Sequence, residues 1–264
     1  MVPLDLTDGR SVHELAGEIG AKVDVLINTA DCHRTFSIAA RRGVETAQLE
    51  MEVNYFGLLR LAHEFAPILK ARAADGPASA VAWVNVLSIF ALSNYPPHGT
   101  YSASKAAALS LSQALRAELQ PAGVRVINLF PGPIDDEWDQ LVLPPKLAPK
   151  AVAAAVVEAL KGSVEDVYPG DVAQDWLARY LESPKTLERE LTAHEPAHDQ
   201  KDQEASPREA RRERPSCASP RARRHGWRAG RRSDTDAFAR FSANRAAAGV
   251  RPVPAVPYGG NLAL

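Results

Sequence analysis

The chain has 264 residues, of which 45% are hydrophobic and 24% charged, with 31 basic side chains against 32 acidic ones. This length suits one large domain or two small ones, and the apolar fraction is sufficient to fill a sizeable core. The net charge of −1 gives no indication of nucleic-acid or membrane binding.

Short β-branched runs alternate with longer amphipathic stretches from residue 1 to about residue 191. The predicted strands cover Val2–Leu6, Val23–Asn28, Ala80–Leu87, Val124–Phe130 and Val164–Tyr168. The predicted helices cover Ser11–Ile19, Glu45–Ala73, Tyr101–Leu119, Pro149–Lys161 and Val172–Glu182. Several of these strands are continuously apolar, as in a parallel sheet that is buried on both faces. The alternation therefore predicts an α/β fold with a doubly wound, Rossmann-like parallel sheet.

The composition changes after His194, which predicts a folded domain over residues 1–193 and a tail over residues 194–264. Residues 1–194 carry 17 basic and 24 acidic groups, whereas residues 195–264 carry 14 basic and 8 acidic groups. Ten arginines and no lysine lie in Arg208–Arg232. We expect disorder there, because so little apolar surface cannot offset the entropy of ordering. The arginines could neutralise phosphates, but only Trp227 could stack on a base, so we do not expect a nucleic-acid partner.

The number of cysteines and the lengths of the apolar runs indicate the cellular compartment of the protein. The two cysteines, Cys32 and Cys217, form neither a disulfide framework nor a metal-ligand cluster, which favours a reducing compartment and no bound metal. No apolar run approaches the ~18 residues of a membrane span. Residues Met1–Asp5 lack the basic segment and apolar stretch of a signal peptide. We therefore expect a cytoplasmic protein without a membrane partner.

The segment Tyr101-Ser102-Ala103-Ser104-Lys105 is the most informative motif of the chain. Tyr101 and Lys105 stand four residues apart near the start of a predicted helix, so their side chains project from one face. A lysine ammonium lowers the pKa of a nearby phenol from its usual ~10, because the positive charge favours the phenolate. Such a phenol exchanges a proton with a carbonyl or alcohol oxygen near neutral pH. The alternative is an ordinary pair on a helix surface.

Two further polar residues fit the same chemistry. Ser88 follows the predicted strand Ala80–Leu87, and ligands of open α/β sheets bind at that edge. A serine there can donate to the oxygen that Tyr101 protonates, although it could also simply end the strand. Asn54 stands inside a predicted helix, where asparagine is unfavourable, and this placement indicates a specific role. An exposed, tolerated asparagine is the alternative.

These residues bring out a resemblance to the short-chain dehydrogenase/reductase family, over Val2 to about Leu191. The order and spacing of Asn54, Ser88, Tyr101 and Lys105 match the catalytic tetrad of that family. The resemblance implies that Tyr101 is the general acid/base and that Lys105 lowers its pKa and holds the nicotinamide ribose. It also implies that Ser88 orients the substrate carbonyl and that Asn54 fixes a water in the proton relay.

Three further segments resemble cofactor-binding parts of the family. Asp5 resembles the strand-end aspartate beside the adenine, and Asn28 and Ala30 belong to a turn that resembles Asn-Asn-Ala-Gly. Pro131-Gly132-Pro133-Ile134 resembles the Pro-Gly turn whose backbone binds the nicotinamide carboxamide. The resemblance therefore implies NAD or NADP as cofactor, with these residues as its binding site: Asp5, Asn28, Ala30, Tyr101, Lys105, Pro131, Gly132 and Ile134.

The chain departs from the family pattern at two acidic residues. Asp31 stands where the family has the glycine of its turn, and backbone strain is expected there if the geometry needs a positive φ. Asp136 stands at the threonine position after the Pro-Gly turn. A carboxylate there would repel the cofactor's negative charge unless the loop turned it outward.

The third departure is the lack of a glycine-rich phosphate-binding turn. The 264 residues contain neither T-G-x-x-x-G-x-G nor G-x-G-x-x-G. By the resemblance, roughly sixty residues, or two βαβ units, would precede Asp5. They include the strands that join Val2–Leu6 to Val23–Asn28, so we expect an exposed apolar sheet edge. Met1 as an internal start, a degraded inactive relative, or a tail that covers the gap would each account for this.

The function implied is hydride transfer between a nicotinamide cofactor and a small carbonyl or alcohol substrate. An inactive relative that serves as a binding or structural protein is the alternative. The variable segment Asp135–Lys150 would select the substrate, and four of its residues suit an apolar ketone or alcohol: Trp138, Leu141, Val142 and Leu143. A lid that packs these residues on its own core is the alternative. The resemblance also allows a homo-oligomer through the helices Glu45–Ala73 and Tyr101–Leu119.

Overall fold

The computed structural model describes residues 2–34, 38, 43–75, 81–135 and 145–193. The predictions for the tail over residues 194–264, for Asp136 and for the substrate segment around Trp138, Leu141, Val142 and Leu143 lie outside the described residues. None of the described helices combines the length and apolar character that crossing a bilayer requires.

The described residues form short strands separated by longer helices. The strands are β1 (Val25–Asn28), β2 (Ala82–Val86), β3 (Arg125–Leu129) and β4 (Asp166–Val167). The helices are α1 (Gly9–Ile19), α2 (Glu45–Met51), α3 (Gly57–Ala74), α4 (Gly99–Leu119), α5 (Pro149–Lys161), α6 (Asp171–Glu182) and α7 (Pro184–Ala193). A five-residue π-helical turn, Glu52–Phe56, separates α2 from α3 within the predicted helix Glu45–Ala73.

The four strands form one parallel sheet in the order β1-β2-β3-β4. Val25 pairs with Ala82, and Ala82 in turn pairs with Arg125, so the three longer strands run in register and end at the same edge. The side chains of β2 and β3 are almost entirely buried, whereas β1 alternates between exposed and half-buried residues. The predicted α/β fold with a parallel sheet is confirmed, and the strand ends define the edge that positions the site.

Helices cover both faces of the sheet. On one face, Val156 and Ala159 of α5 pack with Val84, Ile127 and Leu129 of the central strands. Residues adjacent to these in sequence point the opposite way, because side chains alternate along a strand. On that second face, the larger core joins strand residues to α1, α3 and α4 through the following side chains: Trp83, Val126, Val12, Leu58, Leu61, Phe65, Leu69, Ala108 and Leu115. This two-sided burial explains why apolar residues predominate in the central strands.

The prediction of a strand over Val2–Leu6 is wrong. Residues 2–5 have no regular secondary structure, and a turn at Leu6 and Thr7 leads into α1. A strand forms only where a neighbour completes its hydrogen-bond ladder. Among the described residues, β1 pairs on one side only, with β2. The expected exposed sheet edge is confirmed, since Val25 is 36% and Ile27 46% exposed on β1.

Candidate functional site

A cavity of about 380 Å³ lies at the carboxyl edge of the sheet. Its walls come from the segments that follow β1, β2 and β3, together with the first turns of α4 and α5. The lining residues are Thr29, Asp31, His33, Val86, Leu87, Ser88, Phe90, His98, Tyr101, Lys105, Pro131, Gly132, Pro133, Ile134, Pro149 and Val152. Its volume falls within the ~300–1,000 Å³ that is usual for small-molecule sites.

Tyr101 and Lys105 project together from the first two turns of α4 into this cavity. Their four-residue spacing places the Lys105 Nζ atom 5.6 Å from the centre of the Tyr101 ring. Both residues are buried, and the Lys105 ammonium also donates to the carbonyl oxygen of Val86 at 3.3 Å. The carbonyl at the end of β2 therefore anchors the ammonium beside the phenol.

A carboxylate stands between these two groups. Asp31 Oδ1 lies 2.9 Å from Lys105 Nζ, and Asp31 Oδ2 lies 3.5 Å from the Tyr101 hydroxyl. His33 Nδ1 contacts the same Oδ2 atom at 3.1 Å. The turn after β1 thus places an acidic side chain in direct contact with the two residues of the central motif.

The charges in this cluster shift two pKa values. The side chain of Asp31 is 34% exposed, and its partial removal from water would by itself raise the pKa of the carboxyl. The Lys105 ammonium, followed by His33, outweighs this effect and lowers the pKa to about 2. Burial and then His33 lower the pKa of His98 to about 4, although Asp31 acts in the opposite direction. Near neutral pH, Asp31 is therefore an anion and His98 an uncharged imidazole.

The expected strain at Asp31 is absent. Within the described part of the chain, no residue other than glycine has a positive φ. Asp31 therefore occupies the turn without a positive φ. Compared with the glycine of the family pattern, it adds a negative charge to the site and no backbone strain.

Ser88 begins a short 3-10 turn, Ile89–Ala91, directly after β2. Its Oγ atom accepts a hydrogen bond from the Phe90 N–H at 3.2 Å, which leaves the hydroxyl proton to donate into the cavity. The next backbone N–H, that of Ile89, donates to the Pro131 carbonyl at 3.1 Å. This bond holds the Pro-Gly segment beside Ser88.

Asn54 lies in the π-helical turn and clamps the turn after β1. Its Oδ1 accepts from the Cys32 N–H at 2.9 Å, and its Nδ2 donates to the Cys32 carbonyl and to Ser104 Oγ, both at 2.8 Å. The side chain is buried and is not among those that line the cavity. Its amide joins three segments, and the water-binding role implied by the resemblance stays a prediction.

The predicted cofactor residues divide between two places. Pro131, Gly132 and Ile134 line the main cavity with Tyr101 and Lys105. Asn28 and Ala30 line a second cavity of about 400 Å³ along the open edge of β1, and Thr29 borders both cavities. Asp5 lines neither, and its Oδ1 accepts from the N–H and hydroxyl of Thr7.

Comparison with known proteins decides the family. The sequence profile described as short chain dehydrogenase matches residues 1–143. The chain belongs to the short-chain dehydrogenase family. A protein of Helicobacter pylori (strain J99), described as probable short-chain type dehydrogenase/reductase VdlC, is 32% identical over 170 residues, which cover 63% of this chain and 60% of that protein.

Two solved structures of short-chain dehydrogenases support the same assignment. One, from Burkholderia cenocepacia in complex with NADP, is 38% identical with a TM-score of 0.67, covering 72% of this chain and 77% of that one. Another, from Streptomyces avermitilis, is 25% identical with a TM-score of 0.62, covering 73% and 78%. The chain spans 60% of the Helicobacter pylori protein and about half of other curated relatives.

The residues present suit the nicotinamide end of a dinucleotide cofactor. Lysine has three N–H donors, and two of those of Lys105 serve Asp31 and the Val86 carbonyl, which leaves one for a ribose hydroxyl. The Pro-Gly segment lines the same cavity as Lys105. For the diphosphate, the 264 residues hold no glycine-rich turn of either pattern.

Sequence reasoning missed two histidines of the site. His33 and His98 both line the cavity, with ring centres 5.0 Å and 6.1 Å from that of Tyr101. Each stands within three residues of a position that the motifs had singled out, Asp31 or Tyr101. That proximity was the available signal, but only the fold shows that the two histidines meet.

Proposed function

We propose that this chain belongs to an NAD(P)-dependent oxidoreductase that transfers hydride between the nicotinamide and a small carbonyl or alcohol substrate. The observation that supports this most is the meeting of Tyr101, Lys105 and Ser88 in one cavity at the carboxyl edge of the parallel sheet. The family membership and the NADP complex of the Burkholderia cenocepacia relative support the same cofactor class.

Each of the four predicted catalytic residues has a role that its contacts support. Tyr101 gives its hydroxyl proton to the substrate oxygen in reduction and takes it back in oxidation. Ser88 donates its hydroxyl proton to the same oxygen and orients it. Lys105 supplies a positive charge beside the phenol and a donor for the ribose, while Asn54 fixes the turn that faces them.

The bound nicotinamide would supply the hydride, which is chemistry that no amino-acid side chain provides. Lys105, Pro131, Gly132 and Ile134 would hold the nicotinamide and its ribose, while Asn28 and Ala30 would lie toward the adenine side with Asp5. Trp138, Leu141, Val142 and Leu143 favour an apolar substrate. We also propose a cytoplasmic location and a homo-oligomer, both of which follow from the sequence predictions.

A second candidate is an inactive relative that uses the fold as a binding surface. The Asp31 carboxylate favours it, because this side chain already binds the Lys105 ammonium and contacts the Tyr101 hydroxyl. In an inactive relative, Tyr101 and Lys105 would be retained because their contacts with Asp31 stabilise the fold.

Cofactor binding and turnover by the Tyr101→Phe variant test the proposal. We expect NADH or NADPH fluorescence to report binding by both wild type and variant, and carbonyl reduction to fall about 10²–10⁴-fold in the variant, since only the proton donor is lost. Tyr180→Phe, outside the cavity, serves as the matched control and keeps full activity. Binding without turnover by the wild type, across a panel of aldehydes and ketones, would favour the inactive relative.

A further inference from the structure

We propose that Asp31 is a positioning residue that keeps Tyr101 protonated, by neutralising Lys105 and by accepting the Tyr101 hydroxyl hydrogen bond. The effect of Asp31 on catalytic turnover rests on the proposed function, whereas its effect on the protonation of Tyr101 does not. The protonation state itself is a property of the free protein. It reverses the simple expectation that Lys105 promotes the phenolate of Tyr101.

The two carboxylate oxygens of Asp31 face different partners. Oδ1 lies 2.9 Å from the Lys105 ammonium, while Oδ2 lies 3.5 Å from the Tyr101 hydroxyl and 3.1 Å from His33 Nδ1. The distance from Lys105 Nζ to the phenol ring centre is 5.6 Å. The negative charge is therefore in direct contact with the hydroxyl oxygen, so a phenolate there would face a carboxylate.

Hydrogen bonds hold the segment that directly follows Asp31. Cys32 is clamped by the side-chain amide of Asn54 through its N–H and its carbonyl. The N–H of Arg34 donates to Glu50 Oε1 at 2.9 Å, and Glu50 itself is fully buried. Asp31 thus stands at the start of a fixed segment.

Among the residues that the structure describes, charged and titratable groups approach Tyr101 from several segments. These groups are Asp31 and His33 after β1, His98 before α4 and Lys105 on α4. Glu50 of α2 is linked to the residue before Tyr101, because its carboxylate accepts a hydrogen bond from the Thr100 hydroxyl. His98 is uncharged near neutral pH because its pKa is about 4, and Asp31 is an anion because its pKa is about 2. Within this group, the only fixed cation is Lys105, and Asp31 already pairs with it.

The consequence concerns the proton that leaves Tyr101. In carbonyl reduction, the Tyr101 O–H bond breaks as the substrate oxygen gains the proton, and a phenolate remains. A carboxylate in contact with that oxygen disfavours the phenolate, so Tyr101 gains its proton back readily and retains it to higher pH. Oxidation of an alcohol, which needs the phenolate, would correspondingly increase as pH rises.

Spectroscopic titration of Tyr101 tests the inference without cofactor or substrate. The ultraviolet absorbance of the phenolate is followed with pH, and Tyr101 is isolated from the six tyrosines as the difference between each protein and its Tyr101→Phe counterpart. We expect Asp31→Asn to lower the midpoint by about 1–3 pH units, the usual effect of a charge at this distance. Asp31→Gly provides a second neutral replacement should the first fail to fold.

Two control variants separate the effect of the local charge at position 31 from that of a changed side-chain shape and from that of a changed net charge. Asp31→Glu retains the negative charge and should keep the midpoint near that of the wild type, while Asp175→Asn removes an exposed carboxylate of α6 and should leave it unchanged. An unchanged or higher midpoint in both neutral Asp31 variants would overturn the inference. So would an equal shift in Asp31→Glu. The titration measures no catalytic turnover, so its outcome is independent of whether the proposed oxidoreductase function is correct.

Discussion

At the scale of single residues, His98 is a buried histidine beside the reactive groups. It is 2% exposed, and its Nδ1 atom has no hydrogen-bond partner among the described residues. Burial and the neighbouring His33 both disfavour its charged form and lower its pKa to about 4. The neutral imidazole packs against the Tyr101 ring at 6.1 Å and adds no charge to the Asp31–Lys105 pair near neutral pH.

This buried histidine predicts a dependence of stability on pH. Its folded-state pKa lies below the unfolded value of about 6.5, so the unfolded chain binds more protons between pH 6.5 and 4, and the free energy of unfolding falls as pH falls through that window. The loss expected from His98 is about 2–3 kcal/mol. Urea denaturation of wild type and His98→Gln between these pH values measures it.

The variant should lack this part of the slope, since a glutamine binds no proton. His63→Gln, an exposed residue of α3, is the matched control and should keep the wild-type slope. Equal slopes in the wild type and His98→Gln would show that His98 is readily protonated in the folded protein.

Asp31 shows where residue-level prediction from sequence reaches its limit. Its place in the turn after β1 and its departure from the glycine of the family pattern could both be read from the sequence. Its contacts with Lys105 and Tyr101 join residues about seventy positions apart, and only the register of β1 against β2 brings them together. The strain expected there was wrong, because the turn adopts a negative φ.

At the scale of elements, the periodic segments were predictable and the edge of the sheet was not. The predicted helix Pro149–Lys161 agrees with α5 at both ends, and the strands β1–β4 lie within predicted ones. In contrast, Val2–Leu6 has the pattern of a strand, but the described part of the chain offers it no neighbouring strand to pair with. Local sequence carries the tendency to form a strand, whereas the hydrogen-bond ladder depends on a partner elsewhere.

The open side of β1 predicts self-association. Ile27 is 46% exposed on a strand whose second side has no partner among the described residues, and such edges pair with other chains. Sedimentation velocity at increasing protein concentration measures this self-association. We expect Ile27→Lys to reduce it, because a charge on an edge strand disfavours pairing with the strand of another chain.

A helix position of similar exposure supplies the control. Val157 is 48% exposed on α5, away from any strand edge, and Val157→Lys should leave self-association unchanged. If both substitutions reduced association equally, general surface hydrophobicity rather than the edge of β1 would be responsible.

At the scale of the whole molecule, different features of the sequence determine the fold and the chemistry of the site. Alternating apolar strands and amphipathic helices dictate the parallel sheet, which brings the ends of β1, β2 and β3 to one edge. Ser88, which follows β2, and Tyr101 and Lys105 of α4 place two hydroxyls and an ammonium around one cavity at that edge. His33 and His98, which complete this cavity, carry no periodic pattern, and their proximity to Asp31 and Tyr101 in the sequence does not show that the two rings meet.

The central claim is that Tyr101 supplies the proton for hydride transfer to a carbonyl. Mass spectrometry of the alcohol formed from aldehydes and ketones, with NADH or NADPH deuterated at the hydride position, tests it most directly. The account predicts one deuterium on the carbinol carbon with the wild type and a yield about 10²–10⁴-fold lower with Tyr101→Phe. Deuterium transfer at an equal rate by both proteins, or none by a wild type that binds the cofactor, would contradict it.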